Sequence, residues 1–260
     1  MLGKTKHKIG YALSGGGARA FAHLGAIQAL QEQGIQPEII SGVSAGSLAG
    51  VFIADGYQPA EIMEIFGKMK FMEFAEPGIP HNGIFKTSRL QALLKKHLKA
   101  KRFEDLQIPF IAITSDFDKG KTVAFSQGAL YAPVAASCSF PVVFAPTIIN
   151  DISYIDGGLF RNFPVSFIRD KAKTVIGINV CPPPQQKNKD NLRSVIEKCV
   201  HYVLDANSLN DDSLCDILIK PQEITDYSIF ELKMSDEIYK IGYDAAKKVI
   251  TENKKRLKLK

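Results

Sequence analysis

The sequence predicts a three-layer α/β/α fold, with helices covering both faces of a mostly parallel central sheet. Three observations predict it. Apolar, strand-like runs alternate with helix-like runs along the chain, the order that builds parallel strands through crossover connections. Two early strand-to-helix junctions are glycine-rich turns, Leu13-Ser14-Gly15-Gly16-Gly17-Ala18-Arg19 and Gly42-Val43-Ser44-Ala45-Gly46. The 260 residues suffice for one such domain with a full core, and no internal repeat or linker divides them.

Taken in order, Ile9–Leu13 reads as the first strand. Arg19–Gln33 places Phe21, Leu24, Ile27, Ala29 and Leu30 at helical spacing before Gly34 stops it. Pro37–Ser41 is a second strand running into the Ser44 turn, and Ala45–Ala54 continues as an apolar helix. Pro59–Met69 opens with Pro-Ala-Glu and reads as a helix. Residues 70–86, with Phe71, Met72, Phe74, Pro77, Pro80, His81 and Gly83 in no clear period, read as a long apolar loop or lid. Ser88–Leu98 is helical. Phe110–Thr114 and Thr122–Phe125 pair around the turn signal Asp118-Lys119-Gly120. Gly128–Ser137 reads as a helix despite Pro133, and Ile152–Ile155 as a short strand ending at Asp156-Gly157-Gly158. Thr174–Val180 is a buried strand. The helices Asn191–Leu209 and Asp236–Leu257 flank a last strand, Asp216–Ile219.

Composition narrows the function classes. The chain is 45% hydrophobic and 23% charged, ordinary for a globular protein, and no apolar run reaches the length of a membrane span. Glycines interrupt the apolar stretch after the basic N-terminus, which makes a poor signal peptide and favours a cytoplasmic location. The net charge of +6 sits at the ends, +3 in residues 1–8 and +4 in residues 251–260, leaving the body nearly neutral. A solvated, frayed helix end accounts for 251–260; weak peripheral attraction to an anionic membrane is the sharper reading. No motif marks nucleic-acid binding. Cys138, Cys181, Cys199 and Cys215 form no C-x-x-C pair and read as reduced, mostly buried thiols. Cys199 and His201 lack a second ligand pair, so no metal site is expected.

The chemistry lies in the two turns. Gly42-Val43-Ser44-Ala45-Gly46 has the G-x-S-x-G spacing of a nucleophile elbow, in which a sharp turn exposes the serine hydroxyl; Gly42, Ala45 and Gly46 are small enough to allow it. A tightly packed Gly/Ser turn is the plain alternative. The glycine loop fits an oxyanion hole, with the N–H groups of Gly15, Gly16 and Gly17 facing a developing negative oxygen. Arg19 is assigned to fixing that loop. Gly15-x-Gly17-x-x-Ala20 also fits a dinucleotide fingerprint, but the second strand ends at Ser41 with no acidic residue for a ribose. A phosphate loop before Gly120-Lys121-Thr122 would need glycine where Ser115 stands.

A serine hydroxyl needs a base. His7, His23, His81, His97 and His201 occupy no obvious strand end. Asp156 does, directly before Gly157-Gly158. A carboxylate becomes a usable base when a dry pocket raises its proton affinity. An ordinary Asp-Gly turn is the competing reading.

These blocks, taken together, resemble the patatin-like phospholipases, lipid acyl hydrolases with a Ser-Asp dyad. The resemblance rests on Gly15-Gly16-Gly17-Ala18-Arg19, Gly42-Val43-Ser44-Ala45-Gly46, Ala136-Ser137-Cys138-Ser139-Phe140-Pro141 and Asp156-Gly157-Gly158 with Asn162-Phe163-Pro164, in that order. It covers about residues 8–250 and departs at Ala20, where the family usually has glycine. It implies a patatin-like fold, Ser44 as nucleophile, Asp156 as base, the Gly15–Gly17 loop as oxyanion hole, and no metal or cofactor. It further implies a lipid or acyl-ester substrate attacked through an acyl-serine. A short-chain esterase or thioesterase on the same scaffold, and a non-enzymatic lipid-binding module, stay open as alternatives at this point.

Overall fold

The computed structural model describes residues 6–78, 83–183, 192–229 and 232–257. The chain enters the sheet as β1 (His7–Leu13), then forms α1 (Phe21–Gln31), β2 (Ile39–Val43), α2 (Ala45–Ala54) and α3 (Pro59–Phe66). After α4 (Phe71–Phe74), β3 (Glu76–Pro77) and β4 (Phe85–Lys86) come α5 (Ser88–His97), β5 (Phe110–Asp116), β6 (Lys121–Phe125) and α6 (Tyr131–Ser137). The rest is β7 (Thr147–Ile149), β8 (Ile152–Asp156), α7 (Gly158–Arg161), β9 (Ala172–Ile178), α8 (Leu192–Ala206), α9 (Leu209–Asp212), β10 (Ile217–Ile219), α10 (Ser235–Glu252) and α11 (Lys254–Leu257).

The main sheet runs β10-β9-β1-β2-β5-β8-β7, with β6 also paired to β5. The β10, β9, β1, β2 and β5 strands are mutually parallel, whereas β6, β7 and β8 add antiparallel pairs. Alternate residues of each strand supply two cores. Tyr11, Leu13, Ile40, Phe110 and Ile176 face α1, α2 and their neighbours; Ala12, Ile39, Val43, Ile111 and Val175 face Phe163, Val165 and Ile168. This is the three-layer α/β/α arrangement with a mostly parallel centre. The α1 and α10 helices touch backbone to backbone: a β-carbon added to Gly25 would fall 1.9 Å from the Tyr239 carbonyl oxygen, and one on Gly242 would fall 2.0 Å from that of Ala22.

One register matters for chemistry. β2 ends with Val43 opposite Ile113 of β5, and β8 ends with Asp156 opposite Thr114. Residues 112–116 of β5 give their other edge to β6. β2 and β8 therefore share one edge of β5 and meet end to end, β2 running with β5 and β8 against it. The residues that follow Val43 and those around Asp156 are brought together by hydrogen-bond register.

Several expectations need correction. The 70–86 segment is not structureless where it is described. Glu73 accepts from the Lys70 N–H at 2.6 Å and starts the α4 turn, and β3 and β4 pair antiparallel. Phe71 packs edge-on against Phe74 and Phe85, each at 5.1 Å between ring centres. His81 and Pro80 lie outside the described residues. The helix expected from Gly128 begins at Tyr131, which puts Pro133 in the first turn, where no N–H is needed. The β7–β8 hairpin was not anticipated; Asn150 (φ 50°) and Asp151 (φ 62°) form its two-residue turn, both in the left-handed region that such turns require. The basic C-terminal end is not wholly solvated either, since Arg256 bonds Asp216 at 3.2 Å. All four cysteines are free, but Cys199 is exposed and only Cys181 is fully buried, because Cys199 sits on the outer face of α8 beside exposed Val195 and Tyr202. Among the described residues, no helix is long and apolar enough to cross a membrane.

Candidate active site

Ser44 lies between the end of β2 and the start of α2 with φ 52° and ψ −124°. A non-glycine residue in that region is strained by about 1–3 kcal/mol and persists only where its surroundings hold it. Two groups do so. The Ser44 N–H donates to the Ser137 hydroxyl at 2.9 Å, and that hydroxyl donates to the Ile113 carbonyl at 2.6 Å. The glycines make room for the turn. A β-carbon on Gly42 would lie 2.5 Å from the Gly46 carbonyl oxygen, and one on Gly46 would lie 2.4 Å from both the Leu13 and Ser14 carbonyl oxygens. Gly46→Ala is accordingly expected to cost at least about 3 kcal/mol of unfolding free energy, read by urea denaturation, because the clash is with backbone that has no rotamer to escape into.

Asp156 is 2% exposed. Its Oδ1 accepts the Gly158 N–H at 2.8 Å, and the Ser44 side chain lies beside the same carboxylate and favours its charged form. Burial pushes its pKa up to about 7, and the neighbouring Ser44 side chain and the Gly158 N–H only partly oppose that rise. Gly157 and Gly158 thus serve differently: Gly157 continues the turn into α7, while Gly158 binds the carboxylate.

The glycine loop departs from expectation in one respect. The Gly15 N–H already donates to the Asn162 carbonyl at 3.0 Å, so it is not a free oxyanion donor. Gly16 and Gly17 have N–H groups with no partner among the described residues, and both line the same cavity as Ser44 and Asp156. Ala45, first residue of α2, adds a third N–H that has no intrahelical acceptor. Arg19 is buried and fixes the loop from behind; its Nε and Nη2 donate to the Tyr227 carbonyl at 2.9 and 2.7 Å.

No histidine competes for the role of base among the described residues lining this cavity. His23 is buried in α1, its Nε2 2.9 Å from the Ser14 carbonyl oxygen, and burial holds its pKa down at about 4. His201 lies within α8, buried against Arg19 and Cys181. His97 ends α5, and His7 approaches Glu38 at 4.0 Å on the surface. Among the described residues, no cluster of His, Cys, Asp or Glu is arranged to hold a metal ion.

The cavity holds about 190 Å³, more than the ~150 Å³ in which a buried apolar void accommodates benzene. Its walls are apolar: Leu24, Leu48, Ile62, Phe66, Phe71 and Phe74 are among them. The Phe71 and Phe74 walls come from the 70–86 segment. Asn162, whose role was not assigned from sequence beyond a matching block, also faces this space.

The family model for patatin-like phospholipases matches residues 11–168. An uncharacterized NTE family protein of Mycobacterium tuberculosis is 31% identical over 166 residues, 63% of this chain and 46% of that protein. Patatin-like phospholipase domain-containing protein 6 of Homo sapiens is 28% identical over 190 residues, 68% of this chain and 14% of that protein. The chain spans about half the length, or less, of these relatives. Among solved structures, VipD from Legionella pneumophila aligns over 95% of this chain and 67% of its own with a TM-score of 0.63 at 15% identity. Human GIVD cytosolic phospholipase A2, in complex with methyl gamma-linolenyl fluorophosphonate, aligns over 96% of this chain and 58% of its own with a TM-score of 0.53 at 12% identity. These two likenesses are likenesses of fold.

Proposed function

The chain belongs to the patatin-like phospholipase family, and from that membership we propose that it is a serine acyl hydrolase cleaving carboxylic esters of lipids through a Ser44–Asp156 dyad. The observation that carries this reading is the Ser44 side chain beside a buried carboxylate whose pKa burial pushes up to about 7, in an apolar cavity lined by Gly16 and Gly17, whose N–H groups have no partner among the described residues. A hydroxyl, a base poised near neutrality and donors for an oxyanion are what acyl transfer needs.

The steps follow from that arrangement. Ser44 Oγ attacks the ester carbonyl carbon as its proton passes to Asp156, and the carbonyl π electrons move onto oxygen. The Gly16, Gly17 and Ala45 N–H groups stabilise that oxyanion. The tetrahedral species collapses, the C–O bond to the alcohol breaks, and Asp156 returns its proton to the departing alkoxide, leaving acyl-Ser44. Water then adds to the acyl carbon, giving a proton to Asp156, which protonates Ser44 Oγ as the carboxylic acid leaves. The apolar wall formed with Phe71 and Phe74 suits an acyl chain more than a polar metabolite.

A p-nitrophenyl ester series from acetyl to palmitoyl tests the reading, with Ser44→Ala as control. Ser44-dependent turnover rising with chain length is expected. Turnover confined to the shortest esters would replace the lipid reading with that of a soluble esterase, and turnover equal in the Ser44→Ala protein would refute the dyad.

A further inference from the structure

Asn162 is the feature of the cavity that this mechanism leaves unused. Its side chain is 1% exposed, and neither Oδ1 nor Nδ2 makes a hydrogen bond of normal geometry. The Cys181 thiol lies beside it, a weak partner in either direction. Buried polar groups in folded proteins are nearly always satisfied, and a primary amide left without a firm partner calls for an explanation. Its position supplies one. A β-carbon placed on Gly15 would sit 2.3 Å from Asn162 Oδ1 and 3.4 Å from Ser44 Cβ; one placed on Gly158 would sit 2.9 Å from Asn162 Oδ1 and 3.1 Å from Asp156 Oδ1. Asn162 Oδ1 therefore lies no more than 5.7 Å from Ser44 Cβ and no more than 6.0 Å from Asp156 Oδ1, close to both members of the dyad.

We propose that the Asn162 side-chain amide donates a hydrogen bond to the reacting acyl oxygen, as the side-chain member of an oxyanion hole otherwise built from backbone. This rests on the acyl hydrolase reading above. The backbone geometry gives the proposal a reason. The Asn162 carbonyl takes up the Gly15 N–H, which withdraws one donor from the loop, and the same residue offers another from its side chain. No bond pins the amide in one orientation, and a half-turn about its terminal torsion exchanges nitrogen and oxygen. An ester oxygen gaining negative charge and the Asp156 carboxylate are both acceptors, so the electrostatics of the occupied site turn Nδ2 toward them. The bond strengthens as charge moves from the carbonyl π system onto oxygen, and it acts on the transition state more than on the bound ester.

Asn162→Leu removes both polar atoms at nearly constant shape, and Asn162→Ala serves as a second variant should leucine not fit. Both keep the backbone carbonyl that holds Gly15. Three quantities are compared with wild type: kcat and KM on the best p-nitrophenyl ester, the inhibition constant of an alkyl trifluoromethyl ketone that adds to serine as an oxyanionic hemiketal, and the melting temperature. The expected result is a loss of about 10²–10³ in kcat with KM changed less than about threefold, as for the removal of one oxyanion donor. Ketone affinity should fall by a similar factor while the melting temperature holds or rises. Variants retaining kcat and ketone affinity to within about threefold would overturn the proposal. So would variants whose kcat, KM and melting temperature deteriorate together, the mark of a packing role. A wild-type protein with no Ser44-dependent turnover and no ketone adduct would instead fail the acyl hydrolase reading, and the role of Asn162 with it.

Discussion

Replacing Ser44 by alanine is expected to lower ester turnover by at least about 10⁴-fold while the protein still folds, because the residual rate then comes only from binding and oxyanion stabilisation. The same position makes a second, opposite statement about stability. Ser44 holds φ at 52° in a region where a β-carbon is strained. Alanine keeps the β-carbon and keeps the strain. Glycine relieves it, at the cost of greater freedom in the unfolded chain. Ser44→Gly is therefore expected to be as inactive as Ser44→Ala yet more stable than wild type by roughly 1 kcal/mol, measured as a raised urea midpoint at unchanged slope. A glycine variant less stable than the alanine variant would mean that the elbow stores no strain.

Asp156→Asn is expected to abolish turnover and to stabilise the protein above neutral pH. The sign follows from the direction of the shift. Burial raises the folded-state pKa from 3.8 to about 7, so the folded protein binds the proton more tightly than the unfolded chain. Stability from this group is fully present below about pH 4 and is lost as the pH climbs through about 7. Asparagine carries no charge to desolvate and can still accept the Gly158 N–H. The variant should gain on the order of 2–4 kcal/mol over wild type at pH 8.5 and almost nothing at pH 4, read from denaturation at the two pH values. In wild type, kcat/KM should rise with an apparent pKa near 7, since only the carboxylate can accept the serine proton. A rate profile flat from pH 5 to 9, or an asparagine variant no more stable at high pH, would show that Asp156 is not the buried base described.

Much of this could be read from residue order, and the parts that could not share a physical cause. The alternation of apolar runs gave β1, α1, β2 and α2 within about two residues, because each strand and each helix there is locally patterned and capped by glycine. Ser44 and Asp156 were marked by turns whose chemistry is local. What joins them is not local: it is the register of β2 and β8 along one edge of β5, and nothing in either segment announces the other. The occupied N–H of Gly15 was invisible for the same reason, as its acceptor lies 147 positions away at Asn162. The β7–β8 hairpin carries a readable turn signal in Asn150-Asp151, but the strands that flank it are only three and five residues long and show little alternation. The turn of α4 depends on Glu73 reaching back to Lys70 and on rings brought from β4 and from Phe144, contacts that composition alone does not reveal.

The backbone contact of α1 with α10 bears on how such a site can be cut out and moved. Every residue assigned a chemical role here falls between Gly15 and Asn162, which invites treating that stretch as the portable unit. Yet β1, which delivers the glycine loop, is hydrogen-bonded along its other edge to β9, and α1 is sealed by Gly242 of α10 at a separation that admits no side chain. Excision after Phe163 would bare a central strand and the inner face of a helix at once. The smallest graft that keeps the proposed site intact is set by those two neighbours, and it reaches through β9 and on to the end of α10, well past Asn162.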